Sequence, residues 1–231
     1  MRTTIRDIPI LDLRQVSAEA IAKIDRVENV KTVVLNTENV EAFMEVPRTE
    51  VRSHLIVHPE ETLFIGQIEF NDDFLGKLPE NTKLVILGHA MIDGFSIPLF
   101  QERVKSYRHY GQIVYADRRS AGAVLARLER LQGQLLRMRP NSVRWIGTTT
   151  VTADKLEALE GRPVLSIGPL IVEAGVPVTD LTESISSMVQ IGEILGPEEA
   201  ICALFSVCDR RLGTIKVRVA EPEPAYSVAT T

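Results

Sequence analysis

The residues best suited to chemistry in this chain are four histidines, two cysteines and a scatter of hydroxyls. His54 and His58 stand four apart in SHLIVHPEE, with Glu60 and Glu61 close behind, a set that superficially suggests a metal site. Ile56, Val57 and Pro59 favour an extended strand there, on which residues four apart are separated by roughly 13 Å, too far to share one ion. His89 and His109 have no Ser, Cys or paired carboxylate that the sequence sets beside them, so a nucleophilic triad has no support. Thr148, Thr149 and Thr150 follow Gly147 and suit the backbone needs of a tight turn better than those of a ligand. The glycines form neither GxGxxG nor GxxxxGK[ST]. No catalytic, cofactor-binding or metal-ligating residue is therefore expected, although an enzyme with an unrecognised site stays open because a fold does not declare the sites grafted on it.

The totals set the frame for those residues. A chain of 231 residues, 45% hydrophobic, can bury a substantial core without disulfides. Cys202 and Cys208 read as ordinary core residues of a protein in a reducing compartment. The opening MRTTIRDIPILDL carries Asp7 and Asp12 where the apolar part of a signal would lie, and no apolar run approaches about 18 residues. The expectation is a cytoplasmic protein with no membrane contact. Charge is uneven: residues 1–100 hold 10 basic against 16 acidic side chains, 101–150 hold 10 against 3, and 151–231 hold 6 against 12. A basic band between acidic flanks, without interleaved aromatics, disfavours nucleic acid and suits a surface complementary to a second copy.

The elements that must position these residues follow a recurring pattern, best seen in Ser142 to Leu159: an apolar run, a small residue at a turn, a second apolar anchor and a short helix. Setting the turn residues in register gives Asp12, Asn36, Gly66, Gly88, Ala116, Gly147, Gly168 and Gly192, a period of 21 to 31 residues. The residue before each turn is expected to face the core (Ile65, Leu87, Ile146). A further column, four after the turn, holds Val40, Phe70, Ile92, Val151 and Val172. Two before the turn stand Ile10, Val34, Phe64, Ile86, Val114, Trp145, Ser166 and Gln190, so the runs are apolar on both faces, as parallel strands are when both sides of their sheet are covered.

Helices are expected over Ser17–Ile24, Asp72–Leu78 and Ser96–Tyr107, with a longer one from Ser120 to Met138. In the last, Val124, Leu128, Leu131, Leu135 and Met138 recur at spacings of 4, 3, 4 and 3, an apolar seam that could pack on its own sheet or against a second copy. The repeating domain spans residues 1–219, with sub-blocks at 1–139 and 142–219, and AEPEPAYSVATT over 220–231 reads as a flexible tail.

A strand, a bend and a short helix in this period resemble the leucine-rich-repeat class of β/α solenoids over roughly residues 8–217. The resemblance implies an α/β parallel-sheet solenoid of about eight units that serves as a binding surface. The class's Asn or Cys ladder appears only at Asn36. Residues 82–131, KLVILGHAMIDGFSIPLF followed by GQIVYADRRSAGAVLARL, are also similar to the core of STAS domains, which implies a regulator phosphorylated just after Asp93, where this chain offers Ser96. The expected function is protein interaction or self-assembly, through an uncovered stripe of Phe64, Ile86, Val114 and Trp145, with a homo-oligomer as the expected state.

Overall fold

The computed structural model describes residues 3–217, and they are α/β with parallel sheets. They divide into two compact units between Leu136 and Arg137. The C-terminal stretch from 220 read as a tail lies outside the described residues.

The first unit holds β1 (Thr3–Asp12), α1 (Ala18–Ile21), β2 (Ile24–Asn36), α2 (Val40–Met44) and β3 (Arg48–Val57), then β4 (Glu61–Phe70), α3 (Asp72–Gly76), β5 (Thr82–Ile92), α4 (Ile97–Arg103), β6 (Val104–Tyr115), α5 (Arg118–Ala126) and β7 (Leu128–Arg137). Strands β1-β2-β3 form one parallel sheet and β4-β5-β6-β7 a second. The second unit runs β8 (Val143–Ile146), β9 (Thr149–Val151), α6 (Ala153–Glu157), β10 (Val164–Ile167), β11 (Leu170–Val172), α7 (Val178–Ser184), β12 (Met188–Ile191), β13 (Ile194–Gly196), α8 (Glu198–Val207), β14 (Cys208–Leu212) and β15 (Ile215–Val217). There the strands fall into two four-stranded sheets, β8-β10-β12-β14 and β9-β11-β13-β15.

The helices, four to ten residues long, are too short to stand alone in water. Four of the eight described helices start at a side-chain cap: Ser17 Oγ accepts from Ala20 N, Asn71 Oδ1 from Phe74 N, the Asp117 carboxylate from Arg119 N and Ser120 N, and Thr152 Oγ1 from Lys155 N. Each helix then seats an apolar side chain in its core, such as Ile21, Phe43, Leu75, Phe100, Leu156 or Leu181, all at most 1% exposed. Burial of that one residue is worth roughly 2–3 kcal/mol and holds the turn to its sheet.

The strands bend where the backbone turns left-handed, at eleven positions: Asp7, Asn29 and Glu50 in the first sheet, Gly66, Gly88, Gly111 and Gly133 in the second, and Gly147, Gly168, Gly192 and Gly213 in the second unit. Asp12 and Asn36 instead end β1 and β2, and Ala116 lies beyond β6, so the expected register was wrong at those three places. In the second sheet Gly66 pairs with Gly88 and Gly88 with Gly111, and the backbones come very close. A Cβ on Gly88 would lie 1.9 Å from Gly66 O, and one on Gly111 1.8 Å from Gly88 O. Only glycine fits this stack.

Inside and outside are exchanged relative to the expectation at Gly66 and Gly147, while Ile167 and Ile191, before Gly168 and Gly192, are buried as expected. Phe64 and Ile86 pack toward α3 and α4, and Trp145 lies in the core of the second unit with Leu156 and Leu170, whereas Ile65 and Ile146 are 43% and 47% exposed. The column four after the bend does reach the core: Phe70, Ile92, Val151 and Val172 are buried. The other apolar face of the first unit is covered by a second sheet rather than left open. Ile10, Val34, Leu55 and Val57 of the first sheet pack on Leu63, Val85, Leu87 and Tyr110 of the second, each sheet keeping its helices on its far side.

Two helices are also shorter than expected. The one starting near Ser96 ends at Arg103, and Val104 to Tyr107 already belong to β6. The expected helix to Met138 ends at Ala126; Val124 is on α5, but Leu128, Leu131 and Leu135 lie on β7 and pack half-buried into the second sheet's core. Gly133 in the middle of that run is the cause, because it is the fourth bend glycine, with φ +156°.

Candidate functional site

The ionisable residues singled out by their types are held in structural roles. His54 packs edge-on against Phe43, ring centroids 5.7 Å apart, and partial burial followed by the nearby Arg48 lowers its pKa. The backbone N–H of His58 donates to Glu61 Oε2 at 2.8 Å, closing the β3–β4 corner. No group of three metal-ligating side chains occurs among the described residues. A shallow cleft of about 320 Å³ at this corner is lined by Arg14, Asn36, Thr37, His58 and Glu61 among others. Its polar groups are engaged in the fold. Arg14 is ion-paired with Asp12, and Asn36 donates to Arg14 O while accepting from Glu38 N and Asn39 N.

His109 is fully buried beside Ile86, its partner in β5. Its Nδ1 lies 2.5 Å from Tyr107 Oη, and burial drives its pKa down to about 4 while pushing the Tyr107 phenol up. At neutral pH both groups are uncharged and share one hydrogen bond between Nδ1 and the phenol oxygen. That contact satisfies two polar groups in an apolar core and offers no nucleophile. A second buried tie joins Arg108 to Glu61. The guanidinium also donates to Ile56 O at 3.0 Å and to Tyr110 Oη at 3.3 Å, binding β6 to the β3–β4 corner.

The remaining candidates separate. Ser96 is exposed at the start of α4, where its backbone N–H donates to Asp72 Oδ1 at 2.6 Å, and Asp93 is exposed in the preceding loop. Thr149 is buried and its N–H donates to Pro169 O, while Thr148 is exposed. Cys202 is exposed, contrary to its reading as a core residue, and Cys208 is half-buried, with burial raising its pKa. The stripe expected to bind a partner does not exist as a surface: Ile86, Val114 and Trp145 are buried and Phe64 is half-buried. Strand alternation had been read with the wrong face inward. The expected helical seam fails for the same chain of reasons, since Leu128, Leu131 and Leu135 are strand residues facing their own core.

The surface that the sequence reading missed is the pair of outer edges of the second sheet, β4 and β7. At their bends Ile65, Gly66 and Gln67, and Gln132, Gly133 and Gln134, are all exposed. Edge strands present unpaired backbone groups, and proteins normally blunt them with charge or proline. The first sheet does so: β1 contains Arg6, Asp7 and Pro9, and β3 contains Arg48, Glu50 and Arg52. By contrast Thr62–Ile68 of β4 and Leu131–Leu136 of β7 contain no charge and no proline. The recurring Gly-Gln or Gly-His dipeptides at 66, 88, 111 and 133 signal the bends of this sheet, of which the register through Ala116 passed over Gly111 and Gly133, but they do not mark which strands are edges.

No protein family, curated protein or solved structure matches this chain. Among the described residues no helix is long and apolar enough to cross a membrane.

Proposed function

We propose that this protein is a non-enzymatic self-assembly module built as a leucine-rich-repeat-like β/α solenoid. The likeness is supported by parallel strands that bend at intervals of 21 to 24 residues within each sheet and are joined by short helices. It is supported also by Asn36 and Asn39. Asn39 Nδ2 donates to Leu13 O at 2.6 Å and its Oδ1 accepts from Asn36 N at 3.0 Å, so the pair satisfies backbone groups at a turn as an asparagine ladder would. Eleven bends replace the eight units expected from the sequence.

The observation that carries the functional reading is the pair of exposed bends on the edge strands β4 and β7, each inside an uncharged, proline-free run, Thr62–Ile68 and Leu131–Leu136. An edge of this kind recruits another strand through main-chain hydrogen bonds, a mode of recognition that needs no pocket. Arg108 ties the second sheet to the first through Ile56 O, and the Tyr107–His109 contact lies within β6, with Tyr107 in the second sheet's own core. Multi-angle light scattering over a concentration series tests the reading. A mass that rises above 25.7 kDa with concentration is expected, and a constant 25.7 kDa up to several hundred micromolar would overturn it.

A further inference from the structure

We infer that the self-association just proposed is head-to-tail, with β7 of one copy adding in parallel to β4 of the next so that Gly133 falls level with Gly66. This rests on the self-assembly reading and specifies its interface. Three independent features fit one edge to the other.

The first is register. Across the second sheet the bends run Ile65-Gly66-Gln67, Leu87-Gly88-His89, Tyr110-Gly111-Gln112 and Gln132-Gly133-Gln134. The paired strands place glycine beside glycine and Gln67 beside His89 beside Gln112. A fifth strand added beyond β7 must therefore offer a left-handed residue at the bend, and β4 does so with φ +115° at Gly66.

The second is room. Each later glycine of the sheet has the carbonyl of the preceding one where a Cβ would be, at 1.6 Å for Gly133 against Gly111 O, but around Gly66 that space is empty to 4 Å. The carbonyl of Gly133 from another copy would occupy it in the same way. In the second unit the bend glycine donates forward to the carbonyl just before the next glycine, Gly147 N to Ile167 O at 2.8 Å and Gly168 N to Ile191 O at 2.7 Å. By that rule Gly133 N would donate to Ile65 O of the added copy.

The third is charge. β4 carries Glu69 and no cation, its other carboxylate, Glu61, being paired with Arg108 of its own sheet, whereas β7 carries Arg130 and Arg137 against Glu129. Opposite signs favour β7 on β4 over either edge on itself. Such a heterologous contact does not pair off the two edges it uses, so it generates rings or open filaments rather than a closed dimer.

A charge swap at Gln67 and Gln134 tests this, because the two side chains sit at opposite edges within one copy and become neighbours only between copies. Chain one carries Gln67→Lys with Gln134→Lys, chain two Gln67→Glu with Gln134→Lys, and circular dichroism melts confirm that both fold. Cross-strand pairs of like and opposite charge should separate the two dissociation constants by about tenfold at low salt, Lys/Lys weaker than wild type and Glu/Lys at least as strong. The gap should shrink in 0.5 M salt, where the Debye length falls to about 4 Å, close to the separation of cross-strand neighbours. Equal association of wild type and both variants would overturn the β7-on-β4 contact while leaving self-assembly standing. Weakening by Gln134→Lys without rescue by Gln67→Glu would replace it with pairing of β7 on itself. A monomeric wild type would overturn both this contact and the function it specifies.

Discussion

The two sheets of the first unit make the same bend with different chemistry. In β1-β2-β3 the left-handed residues are Asp7, Asn29 and Glu50, with φ between 50° and 59°, and Asn29 Nδ2 donates to Asp7 Oδ1 at 2.8 Å. In β4-β5-β6-β7 they are glycines with φ from 115° to 156°. The first geometry lies in the left-handed well that Asn and Asp tolerate, and it leaves room for side chains that hydrogen-bond along the stack. The second lies outside that well and brings successive backbones too close for any Cβ. The difference extends to the edges: Arg6, Asp7 and Pro9 on β1 and Glu50 and Arg52 on β3 stand at or near the bends of the first sheet, whereas the charges of β4 and β7 stand near the strand ends.

The largest effect expected from breaking this contrast is at Gly111. Gly111→Ala sets a methyl into Gly88 O and imposes a disfavoured φ, and should cost roughly 3–5 kcal/mol in urea unfolding. The matching substitution in the first sheet, Asn29→Gly, relieves a left-handed side chain while losing one exposed hydrogen bond, and should move stability by less than about 1 kcal/mol. If both cost the same, the two bends do not differ as described.

Next in size is the tie that Arg108 of β6 makes to Glu61 of β4 and to Ile56 O of β3. Arg108→Met leaves the buried Glu61 carboxylate without its ion pair and should destabilise by about 3 kcal/mol, with Arg108→Met plus Glu61→Met recovering most of it. A single variant as stable as wild type would show that Arg108 does not hold the sheets.

A further effect is the acid sensitivity contributed by His109 of the second sheet. His109 has its pKa lowered to about 4 by burial. The unfolded chain, with an ordinary His pKa near 6.5, therefore binds more protons between those values. Stability from this residue is full above about pH 6.5 and falls as pH drops toward 4, by up to about 3 kcal/mol. His109→Leu, which continues the apolar column with Ile86, should flatten that part of the profile relative to wild type. An unchanged slope between pH 6.5 and 4 would contradict the buried neutral imidazole.

The parallel α/β class was legible because the strand runs are apolar on both faces, and Gly66, Gly88, Gly147, Gly168 and Gly192 were legible as bends. Which face turns inward was not, since Phe64 and Ile65, or Trp145 and Ile146, are equally apolar and only the packing of helices and the second sheet decides between them. The run from Val124 to Leu135 misled because spacings of 4, 3 and 4 fit one helix face as well as they fit a short helix followed by a bent strand. Gly111 and Gly133, 23 and 22 residues beyond the preceding glycines, carried the correcting information. The candidate edges were illegible for a different reason. Being an edge is a property of strand order, and nothing local in LFIGQI or LQGQLL states that β4 and β7 lack an outer neighbour.

Hydrogen exchange by mass spectrometry, comparing dilute with concentrated protein, tests most directly whether the second sheet is the one that associates. The account predicts that backbone amides around Ile65–Gln67 and Gln132–Gln134 gain protection on concentration, while those of β1 and β3 do not. Protection gained at β1 or β3 with none at β4 and β7 would contradict it.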